Sequence, residues 1–549
     1  MTPDGFLAAI GLLLAAYQIM PRARRLDLKL RFGVTAWCAT IIGVLGILYL
    51  QFFSTFAKLG LTPAFGLARY HVTPERASFL LVLLTIAFLW THLASRRLSV
   101  HMVGRFQDLV EELLSTRSYP HLVSLLDSHL HRLVLIADGR DWTLRLRHRF
   151  MRTQNGLSAD DFGRLLDVLD EAGESLPAIP KPTFMDRVRG MGVSILGRLV
   201  AHLPDRTKAR DAAEGILSDL LNRRDFAAGV IASRVYFGLN LISLHDHAKH
   251  EFFDNYMREL FADTSSVFYT ELRSTQNESS KGYLLATENR LLYYLFSDAR
   301  RAEELGAWRP IGEAMLAELD TLFRDPKTDP YNLPVGADFR ERGRWQLPLC
   351  VGLHYFDVMV TAALYQGVTW HMWLYYFPYF VEYIARNYAP VENLVDLDDE
   401  WPGLYAFLIY EIVAKLRDWV LALRAIPRDQ ANIVLQRISV EHENDNIPKS
   451  SILALGNCLR IALEAPSFPD SFKRYLAEIA YSLYFRVRTE CRRDDYARVL
   501  LMAIRAGGPA FSGRPASVYR TQLAEAWARF DKIPHRREHL EDLEQGLFA

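Results

Sequence analysis

The residues best suited by type and spacing to hold a metal ion lie in the run His245-Asp246-His247-Ala248-Lys249-His250, with Asp254 beyond it. Residues three and four apart share a helix face. His247, His250 and Asp254 would therefore converge if the run is helical, and imidazole with carboxylate suits zinc or iron. A solvated, histidine-rich helix face is the commoner origin of such a pattern. The acidic run Glu441-His442-Glu443-Asn444-Asp445 could attract a divalent cation, but runs of this kind are usually solvated. The chain carries no GxxxxGK(S/T) phosphate loop, no GxSxG elbow, no HExxH and no GxGxxG after a strand. No cofactor is implied, and the balance leans away from an enzyme.

The His245-Asp246 pair resembles the His-Asp dipeptide of metal-dependent phosphohydrolases. That resemblance would imply a further upstream His and downstream Asp, and His202 and Asp298 are the residues available. Their spacing is not diagnostic.

A second candidate site is aromatic. Val358–Phe380 contains no formal charge, and Tyr365, Trp370, His371, Trp373 and Tyr376 could line a ligand pocket in which buried polar tips find partners. The length of this stretch would suit a membrane span. Gln366-Gly367, His371 and Pro378 argue instead for two core helices packed through aromatic faces.

A third set is basic. Net charge is zero overall, but residues 1–105 hold 11 Lys/Arg against 3 acids, and the remainder holds 53 against 61. The mildly acidic larger part argues against general nucleic-acid binding. Arg22, Arg24, Arg25, Lys29 and Arg31 follow the first apolar run, and Arg96 and Arg97 follow the third. Flanks of this kind fix membrane orientation and can meet anionic lipid headgroups.

These clusters need elements to position them. Three uncharged or nearly uncharged runs, Gly5–Met20, Gly33–Phe53 and Ala77–Ala94, approach the roughly 20 residues that cross a bilayer as a helix. The first has its basic cluster after the apolar core rather than before it, which opposes a cleavable signal peptide. The charge bias places the N-terminus outside, loop 21–32 inside, and everything after Ser95 in the cytoplasm. Cys38, Cys350, Cys458 and Cys491 form no close pair and no disulfide framework.

Beyond the membrane runs the periodicity is helical. Phe106, Leu109, Val110, Leu113 and Leu114 predict a helix, Tyr119-Pro120 a break, and Leu122 to Leu130 a second helix. Leu133–Ile136, Asp138-Gly139 and Trp142–Arg147 predict a β-hairpin. Ser158 and Asp161 have the spacing of a capping box, and the three prolines in 176–182 mark a linker. Helices follow to about Phe323, a Pro/Gly loop spans 325–345, and the last helix is predicted over Ser517–Phe530 with a charged tail.

The expected fold class is mainly α. Three N-terminal transmembrane helices (about 5–20, 33–53 and 77–95) carry a large helical cytoplasmic region, either a bundle or an irregular α-solenoid, with one small β-hairpin near 133–147. The expected division is a transmembrane domain 1–98, a small α+β domain 99–175, a helical domain 184–325, and a helical domain 346–549 with an aromatic-rich core. The expected function is a membrane-tethered scaffold or sensor that binds a protein partner at the cytoplasmic face of a bacterial inner membrane, with homo-oligomerisation open. A membrane-disrupting oligomeric effector gated by its cytoplasmic domain, and a membrane-bound metal-dependent hydrolase, are the alternatives.

Overall fold

The structure is a computed structural model. It describes residues 22–31, 34–59, 73–94, 100–140, 206–244, 249–278, 282–333, 343–368, 372–389, 403–425, 446–508 and 515–548, with isolated positions beside them. Among the described residues the fold is mainly helical, with two short strands. The chain divides into two compact units, Met1–Ala248 and Lys249–Ala549.

Unit 1 begins with α1 (Arg22–Arg31), α2 (Val34–Gln51), the short α3 (Phe53–Lys58) and α4 (Pro74–Ala94). α5 (Val103–Ser115), α6 (Tyr119–Ala137), α7 (Arg206–Leu221), α8 (Arg224–Arg234) and α9 (Phe237–Leu244) follow. α2 packs along α4, and α1 lies against α5 and α6. A Cβ on Gly43 would meet Thr85 Oγ1 at 2.7 Å, so only glycine admits this approach of α2 to α4. α5 buries Phe106, Leu109, Val110 and Leu113, the expected stripe, and Pro120 sits in the first turn of α6, where a missing N–H costs nothing.

The hairpin expected at 133–147 is overturned in its first half. Residues 133–136 complete α6, with Leu133, Val134 and Ile136 buried. Gly139, at φ +66°, donates its N–H to the Ile136 carbonyl, and the Arg140 N–H reaches the Leu135 carbonyl at 2.8 Å. That pair of bonds is a Schellman helix end. Asp-Gly supplies the same positive φ to a hairpin turn or a helix terminus. The helical packing of the residues before it decides which. Residues 142–147 lie outside the described residues, as do the Ser158 helix, the 176–182 linker and most of the first apolar run, 5–20.

Unit 2 opens with α10 (Lys249–Ala262), α11 (Val267–Ser274), an antiparallel hairpin of β1 (Gln276–Glu278) and β2 (Gly282–Leu284), α12 (Arg290–Phe296), α13 (Ala299–Leu305) and α14 (Trp308–Arg324). The register pairs Asn277 with Tyr283. Short 3-10 turns occupy Pro326–Thr328, Pro330–Asn332 and Gly343–Gln346 of the expected loop. Then come α15 (Pro348–Tyr365), α16 (Tyr376–Asn387), α17 (Leu404–Leu421), α18 (Ile447–Glu464), α19 (Asp470–Thr489), α20 (Asp494–Ala506), α21 (Ser517–Arg529) and α22 (Arg537–Phe548). The expected charged tail thus forms a further helix, whose Leu543 and Leu547 are buried.

Alternate helices stack in two rows. α14, α16, α18, α20 and α22 touch in succession, and so do α15, α17, α19 and α21. The aromatic stretch breaks after Tyr365, and Phe377 and Phe380 of α16 meet Phe356 of α15 edge-on at ring distances of 5.6 and 5.8 Å. Among the described residues one helix, α15, is long and apolar enough to cross a membrane, and 78% of it is buried inside the protein, as a core helix is. The apolar segments Ala36–Gln51 and Arg76–Phe88 are shorter.

α18 crosses α20 at Gly456, where a Cβ would sit 2.5 Å from the Ala503 carbonyl oxygen. Backbone cannot yield as a flexible side chain can. Gly456→Ala should therefore lower the unfolding free energy by roughly 1–3 kcal/mol of overpacking, less the ~1 kcal/mol that alanine contributes to a helix. Chemical denaturation followed by circular dichroism measures it, and a stabilised variant would contradict the close crossing.

Candidate functional site

Two core helices of unit 2 carry charge on faces that are otherwise apolar. On α15, Cys350, Leu353, His354, Asp357 and Thr361 recur at helical spacing. On α17, Leu408, Glu411, Ile412, Lys415 and Trp419 do the same. The helices pack together, β2 lies against α15, and the turn Gly343–Gln346 adds Arg344 and Trp345.

Asp357 is the centre, with its side chain only 4% exposed. Lys415 Nζ lies 2.7 Å from its Oδ2, and the Tyr283 hydroxyl donates to the same oxygen. Thr361 Oγ1 donates to Oδ1 at 3.3 Å, and Trp419 Nε1 donates to Thr361 Oγ1 at 3.4 Å. A buried carboxylate is tolerable only with partners of this kind. Burial pulls the Lys415 ammonium down, but Asp357 more than offsets it, and the group ends above its ordinary value. Burial, reinforced by Asp357, pushes the Tyr283 phenol well up.

His354 sits beside this network. Thr275 Oγ1 donates to the Leu272 carbonyl at 2.7 Å and lies 2.9 Å from His354 Nε2. The Thr275 hydroxyl thus has two partners within reach, the Leu272 carbonyl and the His354 ring. Tyr283 and Trp345 meet the ring edge-on at 5.5 and 5.3 Å. Burial takes its pKa down to about 4, with Arg344 and Lys415 adding to the shift and Asp357 opposing it. Burial also holds the Cys350 thiol up at about 12, so it is no nucleophile at neutral pH. Arg344, Cys350, His354, Phe377, Phe407, Glu411 and Lys415 border a partly open cleft.

The residues expected from sequence to form sites are dispersed. His202, His245, Asp246, His247, Trp370, His371, Arg96, Arg97 and the acidic run 441–445 lie outside the described residues. His250 is exposed on α10, whereas Asp254, one turn on, is buried and accepts from Arg309 Nη2 at 2.5 Å. Burial raises the Asp254 pKa against the pull of Arg309. Among the described residues no group of three or more His, Cys, Asp and Glu is placed to hold a metal. Asp298 caps α13, accepting from the Arg300 N–H. Tyr365 is exposed at the end of α15, where its ring neighbours Gly282. Tyr376 donates to Glu313 Oε1 at 2.9 Å, and Trp373 falls in the turn Met372–Tyr375. Arg22, Arg24, Arg25, Lys29 and Arg31 all lie on α1, and Lys29 pairs with Glu112 at 3.2 Å. The sequence signal that would have found the network is a lone acid in the apolar run LCVGLHYFDVMVTAALY and a lone lysine in LYAFLIYEIVAKL.

No protein-family model, curated protein or solved structure matches this chain.

Stability should fall with acidification through His354. Its folded pKa lies below the ordinary value near 6.5, so the unfolded chain binds the proton first. Stability is full above about pH 6.5 and is lost toward pH 4, by up to about 3 kcal/mol. His354→Gln, which keeps a polar partner for Thr275, should flatten that part of the denaturation midpoint against pH. An unchanged slope would refute a buried neutral imidazole. Lys415→Met, which strands Asp357, should destabilise by roughly 2–4 kcal/mol, and Asp357→Leu combined with Lys415→Met by less than the two single changes together. Urea unfolding of the three variants measures the coupling.

Proposed function

We propose that this chain is a membrane-tethered helical scaffold or sensor, anchored through its N-terminal apolar helices, with a helical region that binds a protein partner on the cytoplasmic side. The supporting observation is the outward face of the α2–α4 pair. Trp37, Ile41, Ile42, Leu45, Phe79, Leu80, Leu83, Leu84 and Ile86 point away from the pair, with Ile42 69% and Leu84 66% exposed. Each such side chain forgoes about 1.5–3 kcal/mol if left in water, and so large a patch needs a cover. Hydrocarbon is that cover.

Two further features agree. Thr40, Thr85 and Thr91 each return the hydroxyl proton to the carbonyl four residues back, so these hydroxyls need no water. Also, α1, which joins the first two apolar runs, docks on helices that follow the third. Asp27 Oδ1 accepts from His129 Nε2 at 2.9 Å, and Lys29 pairs with Glu112. Segments that touch must share one side of a bilayer. This is the side on which the basic flanks Arg22, Arg24, Arg25, Lys29, Arg31, Arg96 and Arg97 would lie under the positive-inside rule. The stacked rows of unit 2 offer the extended surface that partner-binding helical arrays use, and this supports a scaffold over a pore built from three spans.

The full chain should pellet with alkaline-washed membranes and need detergent for release. Replacing Leu45 and Leu84 with lysine adds about 2.5–3.5 kcal/mol of insertion penalty per residue and should shift the chain to the aqueous fraction or to aggregates. A full chain that stays in the supernatant without detergent would defeat the proposal, as would a reporter after Ala549 found outside the cell.

A further inference from the structure

We propose that the last helix, α22, is an acid-released cap, held on α20 at neutral pH and let go when His539 takes up a proton. The proposal goes beyond the membrane role and does not depend on it. α22 closes the row α14, α16, α18, α20, and a Cβ on its Gly546 would sit 2.3 Å from Leu501 Cδ2 of α20. Arg537, Glu538, Glu541 and Glu544 are exposed, the polar outer face that the terminal element of a helical array needs. Of the 12 residues of α22, Leu543 and Leu547 are the buried ones. His539 stands one and two helical repeats before them and heads the same ridge. So small an apolar seat gives a low local stability, and a helix of this length is marginal alone in water, so an undocked α22 unwinds.

His539 Nδ1 is enclosed and, among the described residues, meets no hydrogen-bond partner. A neutral ring can leave a bare lone pair there. A protonated ring carries an N–H on both nitrogens, and a buried N–H without an acceptor is costly. The surrounding charges act in the same direction. Arg488 on α19 and Arg536 ahead of α22 repel an imidazolium, whereas Asp542 on α22 and Asp494 on α20 attract it. Both acids are already engaged by Arg488, at 2.6 Å from Asp542 and 3.0 Å from Asp494. Arg537 and Glu541 pair with each other on the outer face. Burial and the arginines prevail and hold the His539 pKa below its ordinary value of 6.5. The ring also lies in the first turn of α22, where the positive end of the helix dipole opposes a cation. The undocked ring therefore binds the proton first, so docking is complete above about pH 6.5 and weakens as pH falls below it. His535, in the linker, faces Asp531 and His539. Its ring stacks on Phe485 at 3.9 Å and Phe530 at 5.4 Å, and aromatic faces tolerate a cation, so it pins the linker and is not the trigger. Release uncovers the α20 end of the row, Leu501 included, to a further helix.

Hydrogen exchange of the purified full chain, read by mass spectrometry at about pH 7.5 and about pH 5 with times scaled for the intrinsic rate, tests this. Protection of 537–548 should fall about threefold or more at the lower pH, while 470–489 of α19 keeps its protection. His539→Gln, which takes up no proton, should hold α22 equally at both pH values, and His535→Gln should keep the wild-type response. Leu543→Asp should lose protection at both and marks the released state. If His539→Gln already matches Leu543→Asp at the higher pH, His539→Leu takes its place, and release in both neutral variants would count against a proton-driven device. Equal wild-type protection at both pH values, an undiminished response in the neutral variant, a response removed by His535→Gln instead, or a loss spread equally over α19 would each overturn the proposal. Whether the chain partitions into membranes is read separately, so the membrane role stands or falls on its own.

Discussion

The packing of β2 and α17 on α15 in unit 2 meets at a buried carboxylate. Asp357 lies almost wholly inside and draws in partners from two other elements: Tyr283 on β2, and α17 through Lys415 and, by way of Thr361, Trp419. A charge removed from water demands such company, and these partners tie β2 and α17 to α15. A hydrophobic pair of the same volume would serve stability as well or better. A buried acid that must be satisfied restricts how α15, α17 and the small hairpin can sit together, since Lys415 and Tyr283 have to reach it.

The same accounting of polar groups separates the two units. In unit 2 the apolar helix α15 is covered by protein, so its hydrophobicity marks a core helix. In unit 1 the apolar helices α2 and α4 cover each other on one side only, through the close approach at Gly43, and leave large side chains outward. Apolar sequence alone is the same signal in both places. What differs is whether another part of the chain comes to meet it. The buried His129, whose ring meets Phe106 at right angles and whose Nε2 bonds Asp27 of α1, shows unit 1 using a polar tie where an element between two apolar runs must be fixed.

Local structure was largely legible. The stripe from Phe106 to Leu114, the break at Tyr119-Pro120, and the interruption of the aromatic stretch after Tyr365 are all consequences of periodicity and of what proline and glycine permit. The failures are also physical. Asp138-Gly139 offers a positive φ that a hairpin and a helix end use equally, and only the burial of Leu133, Val134 and Ile136 on the helix chooses between them. The three-residue strands that do form are too short for alternation to announce them, and β1 is exposed throughout.

By itself, then, the sequence determined the mainly helical class and the extents of several helices, because those depend on neighbours one to four residues away. The tertiary structure alone decided that His250 faces out while Asp254 turns inward to Arg309. It alone brought Tyr283, His354, Asp357 and Lys415 together, because a buried charge selects its partners by distance in space, and residues far apart in the chain carry no local mark of that choice.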